Sequence, residues 1–227
     1  MPLSELLKAD WPAPSNIHTR VESKGSVSEE PPGLPVQQLE QVHGTAVLKL
    51  ESVSTANEQP EADAIYTQVE NVVCSIRTAD CLPVLFCSQD GLELAIAHAG
   101  WRGLAAGILE NTLECFDAQR SNILAWFGPA IAACHFEVGE DVYRAFMQAV
   151  PATQKAATAG AFAVGAKAGK WQADLYQLAR LRLQAAGLSA GNISGGGLCT
   201  YCDEENFYSY RRDGEAAGRI LSQIWRS

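Results

Sequence analysis

The 227-residue sequence lacks a long apolar run. A helix crossing a bilayer needs roughly 20 consecutive apolar residues, so no membrane span is expected. An excess of positive charge is also missing. Lys and Arg number 17 against 26 Asp and Glu, a net charge of −9. That excludes the broad basic footprint with which proteins hold nucleic acid or an anionic membrane. The opening stretch MPLSELLKADWPAP has no apolar core of the kind a secretory signal needs. Histidine is scarce, with four residues in the whole chain. Cysteine is present seven times, an odd number at irregular spacing, which is not a disulfide framework. Most cysteines sit in apolar runs, as reduced thiols do in the cytoplasm, and a cytoplasmic location is expected. No HExxH and no second CxxC accompany Cys199-x-x-Cys202, which reads as two ordinary cysteines near a strand end. The GISGGG-like glycines lack the strand–GxGxxG–helix setting of a dinucleotide fold.

Short strands dominate what is there. SNIHTRVESKG reads as a strand entering a loop. Val36 to Leu50 reads as two short strands around Gln41-Val42-His43-Gly44. ADAIYT, NVVCSIRT, the continuous apolar run LPVLFCS and LELAIAHA follow as strands, the last two as a hairpin across Gln89-Asp90-Gly91. The spacing of Leu104, Ile108, Leu109, Leu113 and Phe116 predicts one helix over 101–116. ILAWFG is a further strand. Helices are expected from near Gly139 and over 173–186, with a surface excursion at 151–170 between them. NISGGGL and the tail GRILSQIW read as closing strands. Without a strict βαβα rhythm, this argues for an α/β or α+β single-domain sandwich, a mixed sheet with helices packed on it, over residues 1–227.

Three residues stand at strand ends beside small neighbours: His43, Cys81 and His98. Two imidazoles and a thiolate form a three-ligand set suited to zinc, with a fourth position open. Spacing alone is equally compatible with a buried cysteine and two hydrogen-bonded core histidines. The same residues also admit Cys81 as a nucleophile with His98 as its base. Asp80, next to Cys81, is a candidate proton shuttle, or a residue that orients a ligand. Arg211, Arg212 and Arg219, near Tyr208 and Tyr210, read as a solvated face or an anion site. Arg102, at a helix start, opposes the macrodipole unless an anion sits there. His135 reads as a local hydrogen-bonding residue, and His18 is uninformative.

Eight motifs occur in one order: QVHG at 41–44, ADA-Y at 62–66, TADCLPVLF at 78–86, AHAGWRGL at 97–104, FGPAI at 127–131, FEVG at 136–139, DLYQLAR at 174–180 and FYSYRRD at 207–213. Together they closely resemble the multicopper polyphenol oxidoreductase, or laccase-domain, family. Members of that family are described as zinc-dependent purine nucleoside phosphorylases that also act as adenosine deaminases and methylthioadenosine phosphorylases. One member is linked to peptidoglycan editing. The resemblance implies that His43, Cys81 and His98 meet as a metal site, with zinc as cofactor and copper as the alternative. It further implies purine nucleosides (adenosine, inosine, methylthioadenosine) and phosphate as partners, in a monomer or small homo-oligomer. Arg20, Arg211 and Arg212 are the candidate phosphate holders, and Cys81, His98 and Asp80 the candidate catalytic groups.

The chain departs from the family before residue 36. His18-Thr19-Arg20 and a degraded GSVS at 25–28 remain, but an Asn-Leu-Gly segment and a helix before QVHG are missing. Three other readings stand beside the phosphorylase. A metal-free Cys–His hydrolase or amidase would act on a cell-wall precursor. A copper-dependent polyphenol oxidase needs more histidines than four for a trinuclear cluster. A small binding protein would use the same pocket without turnover.

Overall fold

The computed structural model describes residues 9–22, 24, 33–52 and 59–227. The GSVS segment at 25–28 lies outside them. A six-stranded mixed sheet forms the middle layer. Its order is β12 (Ile193–Gly195), β8 (Ile123–Phe127), β6 (Leu82–Ser88), β7 (Leu94–Ala99), β4 (Ala64–Thr67) and β3 (Val47–Leu50). β6 and β7 are the expected hairpin, with Pro83 opposite His98. The β3–β4 and β8–β12 pairs are parallel.

A four-stranded sheet of β1 (Ile17–Val21), β13 (Ile220–Arg226), β5 (Val73–Thr78) and β2 (Val36–Gln37) covers one face. Helices cover the other: α1 (Trp101–Ala106), α2 (Ile108–Leu113), α3 (Glu140–Ala149), α4 (Lys155–Ala159) and α5 (Leu175–Ala185); a short α6 (Tyr210–Asp213) follows β12 in the chain. A small sheet of β10 (Phe162–Val164), β11 (Lys170–Ala173) and β9 (Glu137–Gly139) flanks them, so part of the 151–170 excursion is regular structure.

The period of two along β6 and β7 makes both interlayer cores. Leu82, Val84, Phe86, Ala95 and Ala97 face the helices, where Leu104, Ile108, Leu113, Leu178 and Leu183 meet them. Leu85, Cys87, Leu94 and Ile96 face the other sheet and pack with Cys74, Ile76, Ile220 and Ile224. The apolar run of β6 is therefore buried on both sides. The single helix expected over 101–116 is two helices. Gly107 sits between them at φ 106°, a left-handed conformation that ends α1 and starts α2 on a new axis.

Candidate metal centre

Two connections and one strand end bring three candidate residues together at one end of the central sheet. His43 lies in the turn between β2 and β3, at a positive φ of 60°. Cys81 lies between β5 and β6, and His98 on β7. The ligand atoms of His43, Cys81 and His98 all fall within 4.8 Å of one another, and the two imidazole rings meet edge to face with centroids 4.7 Å apart.

The group that builds this geometry is Asp63, just before β4. It is fully buried. Its Oδ1 accepts from His98 Nδ1 at 2.8 Å and from the His43 backbone N–H at 2.9 Å. Oδ2 accepts from the backbone N–H of Gly44 at 2.6 Å and of Val42 at 3.3 Å. The Asp63 carbonyl accepts the His98 backbone N–H at 2.7 Å. One side chain thus folds the His43 turn and fixes the His98 ring. With Nδ1 committed to the carboxylate, His98 turns Nε2 toward Cys81. Burial alone would push the Asp63 carboxyl up, but the bonds from His98, Gly44 and His43 outweigh it and hold it below the ordinary range. Nothing in the ADA-Y pattern singled this residue out beyond an acid flanked by alanines at a strand start.

The Gly-Trp-Arg-Gly segment has a steric role. A Cβ on Gly100 would lie 2.9 Å from both Cys81 Sγ and His43 Cδ2, and one on Gly103 would lie 2.7 Å from the Gly44 carbonyl oxygen. The two glycines let α1 close against two ligands and the turn that carries one of them. Desolvation opposes ionisation of Cys81, yet hydrogen bonds from His43 and His98 bring its thiol down to about 6. Burial likewise opposes a charged His98, but Asp63 and Cys81 raise it to about 9. Two imidazoles facing one ionised thiol, in a cradle that a Cβ would fill, fit a divalent metal.

The three ligands open into a cavity of about 630 Å³, within the range that encloses a small ligand. Arg77, Arg102, Arg211 and Arg219 line it, with Trp101, Phe136 and Tyr210; among the described residues Asp80 is its single carboxylate. A strongly acidic protein therefore presents a basic, aromatic pocket. Arg211 is aimed by a 2.8 Å bond to the Glu137 carbonyl, with its guanidinium over Phe136. Arg102 stacks on Trp101 at 4.4 Å. Asp80 Oδ1 accepts from the Thr200 hydroxyl at 2.6 Å, and Oδ2 from the Arg211 backbone N–H at 2.8 Å.

Two of the expected phosphate holders do not line this cavity. Arg20 lies on β1 in the outer sheet, paired with Glu22 at 2.9 Å. Arg212 turns back into its own chain, onto Asp213 and the carbonyls of Thr200, Tyr201 and Phe207. Arg77, which the sequence did not single out, takes a place in the wall. Gln41 holds its backbone by a reciprocal pair of bonds at 2.8 and 2.9 Å. His18 bonds the Ser227 hydroxyl and stacks on Trp225, far from these ligands in the fold order.

Residues 18–227 match the family model described as multi-copper polyphenol oxidoreductase laccase. The chain belongs to this family. Among laccase-domain relatives, the Escherichia coli protein named purine nucleoside phosphorylase YfiH is 51% identical over 194 residues, covering 86% of this chain and 74% of the relative. A purine nucleoside phosphorylase of Pseudomonas aeruginosa is 39% identical, covering 96% of this chain and 97% of its own. A crystal structure of a Neisseria meningitidis protein superposes with a TM-score of 0.85 at 41% identity, covering 97% of this chain and 98% of that one. Among the described residues no helix is long and apolar enough to cross a membrane.

Proposed function

We propose that this laccase-domain chain is a metal-dependent purine nucleoside phosphorylase that also deaminates adenosine. The observation that carries the reading is the meeting of His43, Cys81 and His98 with four arginines and three aromatic rings in one cavity. The names of the relatives support the nucleoside class. Phosphorolysis breaks the glycosidic C–N bond, forms a C–O bond from the anomeric carbon to phosphate, and protonates the departing base. Arg211 and Arg77 are assigned to phosphate, because both line the cavity and have their backbones tied down. Trp101, Phe136 and Tyr210 offer faces for the purine ring. Asp80 is assigned to proton transfer, and its bonds to Thr200 and Arg211 also hold the phosphate-binding segment in place. His43, Cys81 and His98 would hold zinc, whose Lewis acidity would aid departure of the base in phosphorolysis and, in deamination, addition of water at C6 with ammonia as the leaving group. Purified protein given inosine or adenosine with phosphate should release free base, and a chelator should stop it. No free base and no deaminated product from metal-loaded protein would overturn the proposal.

One observation favours a second reading. Cys81, His98 and Asp63 are linked by hydrogen bonds in the order of a nucleophile, base and orienting acid. A metal-free thiol hydrolase would use them so. It leaves His43 without a task, whereas a metal uses all three ligands. Thiol alkylation that abolishes activity while a chelator leaves it intact would select this reading.

A further inference from the structure

The fold gathers a second set of soft donors that neither reading uses. Cys134 and His135 follow β8, between Ile131 and Phe136 of the cavity wall. Cys199 and Cys202 follow β12, and a parallel bridge between Ala130 and Cys199 joins the two segments. Cys134 Sγ lies 3.6 Å from Cys199 Sγ and 3.5 Å from Cys202 Sγ. His135 Nδ1 lies 3.3 Å from Cys134 Sγ and 3.2 Å from Cys202 Sγ. All four ligand atoms fall within 4.8 Å of one another.

From this cluster we infer that Cys134, His135, Cys199 and Cys202 form a closed, structural zinc site. Zinc with sulfur at about 2.3 Å in a tetrahedron sets sulfurs about 3.8 Å apart, close to the spacing present. A disulfide needs about 2.05 Å, and all three cysteines are free thiols. The ring of His135 is fixed by stacking on Tyr201, with centroids 4.0 Å apart and planes at 14°. Cys199 Sγ accepts the backbone N–H of Ala132 at 3.4 Å, the kind of bond that favours a thiolate. Binding of an ion by three thiols would release their protons.

The site has a positional consequence. Thr200 and Tyr201 lie between the two C-terminal ligands, Thr200 bonding Asp80 and both carbonyls holding Arg212. A metal here ties the segment leading to Tyr210 and Arg211 to the loop carrying Ile131 and Phe136. Four protein ligands leave no open position, so the ion takes no part in chemistry.

Metal analysis of full-length protein purified under reductant tests this independently of any activity. Wild type should carry about two zinc ions per chain, and Cys202→Ser and Cys81→Ala about one each. Cobalt-substituted Cys81→Ala should keep strong sulfur-to-cobalt charge-transfer absorption, because three of the four thiolates remain. That measurement decides the matter even if Cys202→Ser fails to fold. A metal-free Cys81→Ala protein with the thiols of 134, 199 and 202 freely titratable would overturn the inference. So would a disulfide joining Cys134 to Cys199 or Cys202 in the reduced preparation.

Discussion

Removing the carboxylate of Asp63 separates a built metal centre from a core histidine that happens to be satisfied. Asp63→Asn keeps the shape but places an amide donor where one carboxylate oxygen accepted. If Oδ1 is replaced, the amide meets His98 and the His43 N–H; if Oδ2, it meets the Gly44 and Val42 N–H groups. Either way the turn carrying His43 or the ring of His98 loses its orientation. Losing such an outer partner costs roughly 10- to 100-fold in metal affinity, about 1.4–2.8 kcal/mol. Asp63→Ala goes further and leaves all four donors unpaired in a fully buried place. Breaking a buried charged pair costs about 3–5 kcal/mol. At about 2–4 °C per kcal/mol for a chain of this size, the midpoint should fall by roughly 6–20 °C. Zinc titration against a competing chelator reads the affinity, and thermal unfolding of metal-free protein reads the stability. Glu93→Gln is the control. Glu93 is also buried and accepts from the Tyr66 hydroxyl and the N–H groups of Asp117 and Ala118, away from His43, Cys81 and His98. It should lower the midpoint and leave zinc affinity alone. Wild-type affinity in Asp63→Asn, or equal weakening in Glu93→Gln, would refute the role given to Asp63.

Gly100→Ala adds a Cβ within 2.9 Å of Cys81 and His43; it should fold but lose zinc affinity by at least tenfold, and unchanged affinity would show that the helix start is not part of the cradle. Metal-free Cys81, held down to about 6, should react with iodoacetamide at a nearly constant rate from about pH 9 to about pH 7 and slow only as pH falls through about 6. An ordinary thiol near 8.5 already slows below about pH 8, so an ordinary midpoint in the rate profile would dismiss the pairing with the two imidazoles. Arg211→Ala should raise the phosphate KM by roughly tenfold or more, while Arg20→Ala, in the outer sheet, should leave it unchanged; the reverse order would return the phosphate site to the N-terminal segment.

How much of this centre was readable along the chain depends on how far apart its parts lie in sequence. The hairpin of β6 and β7 is a local event, and its register alone sets Leu82 opposite Ala99. Cys81 and His98 are thus neighbours by an alternation that LPVLFCS and LELAIAHA display openly. His43 reaches them through the parallel pairing of β3 with β4 and through Asp63, two long-range steps with no local periodicity to announce them. The resemblance supplied that meeting, and spacing did not. The helix at 101–116 was misread for a similar reason: its apolar period is continuous, and only the left-handed Gly107 marks the break.

The larger omissions concern charge and sulfur, which composition averages away. A net charge of −9 rules out a broad basic face, yet it says nothing about four arginines drawn from β5, α1, α6 and the approach to β13 into one cavity. Local electrostatics depends on which charges share a wall, and that wall is closed by strand crossovers. Arg20 and Arg212 stand outside that wall, each paired with an acid in its own segment. The CxxC at 199–202 looked incomplete for the converse reason. Its other two donors lie more than 60 residues earlier, and the parallel β8–β12 pairing that joins them carries no signature in either stretch. Cysteine and arginine here are dispersed in sequence and concentrated in space. Cys134 and His135 lie within the segment whose ends, Ile131 and Phe136, line the cavity, so an ion held by the second donor set would order one wall of the first.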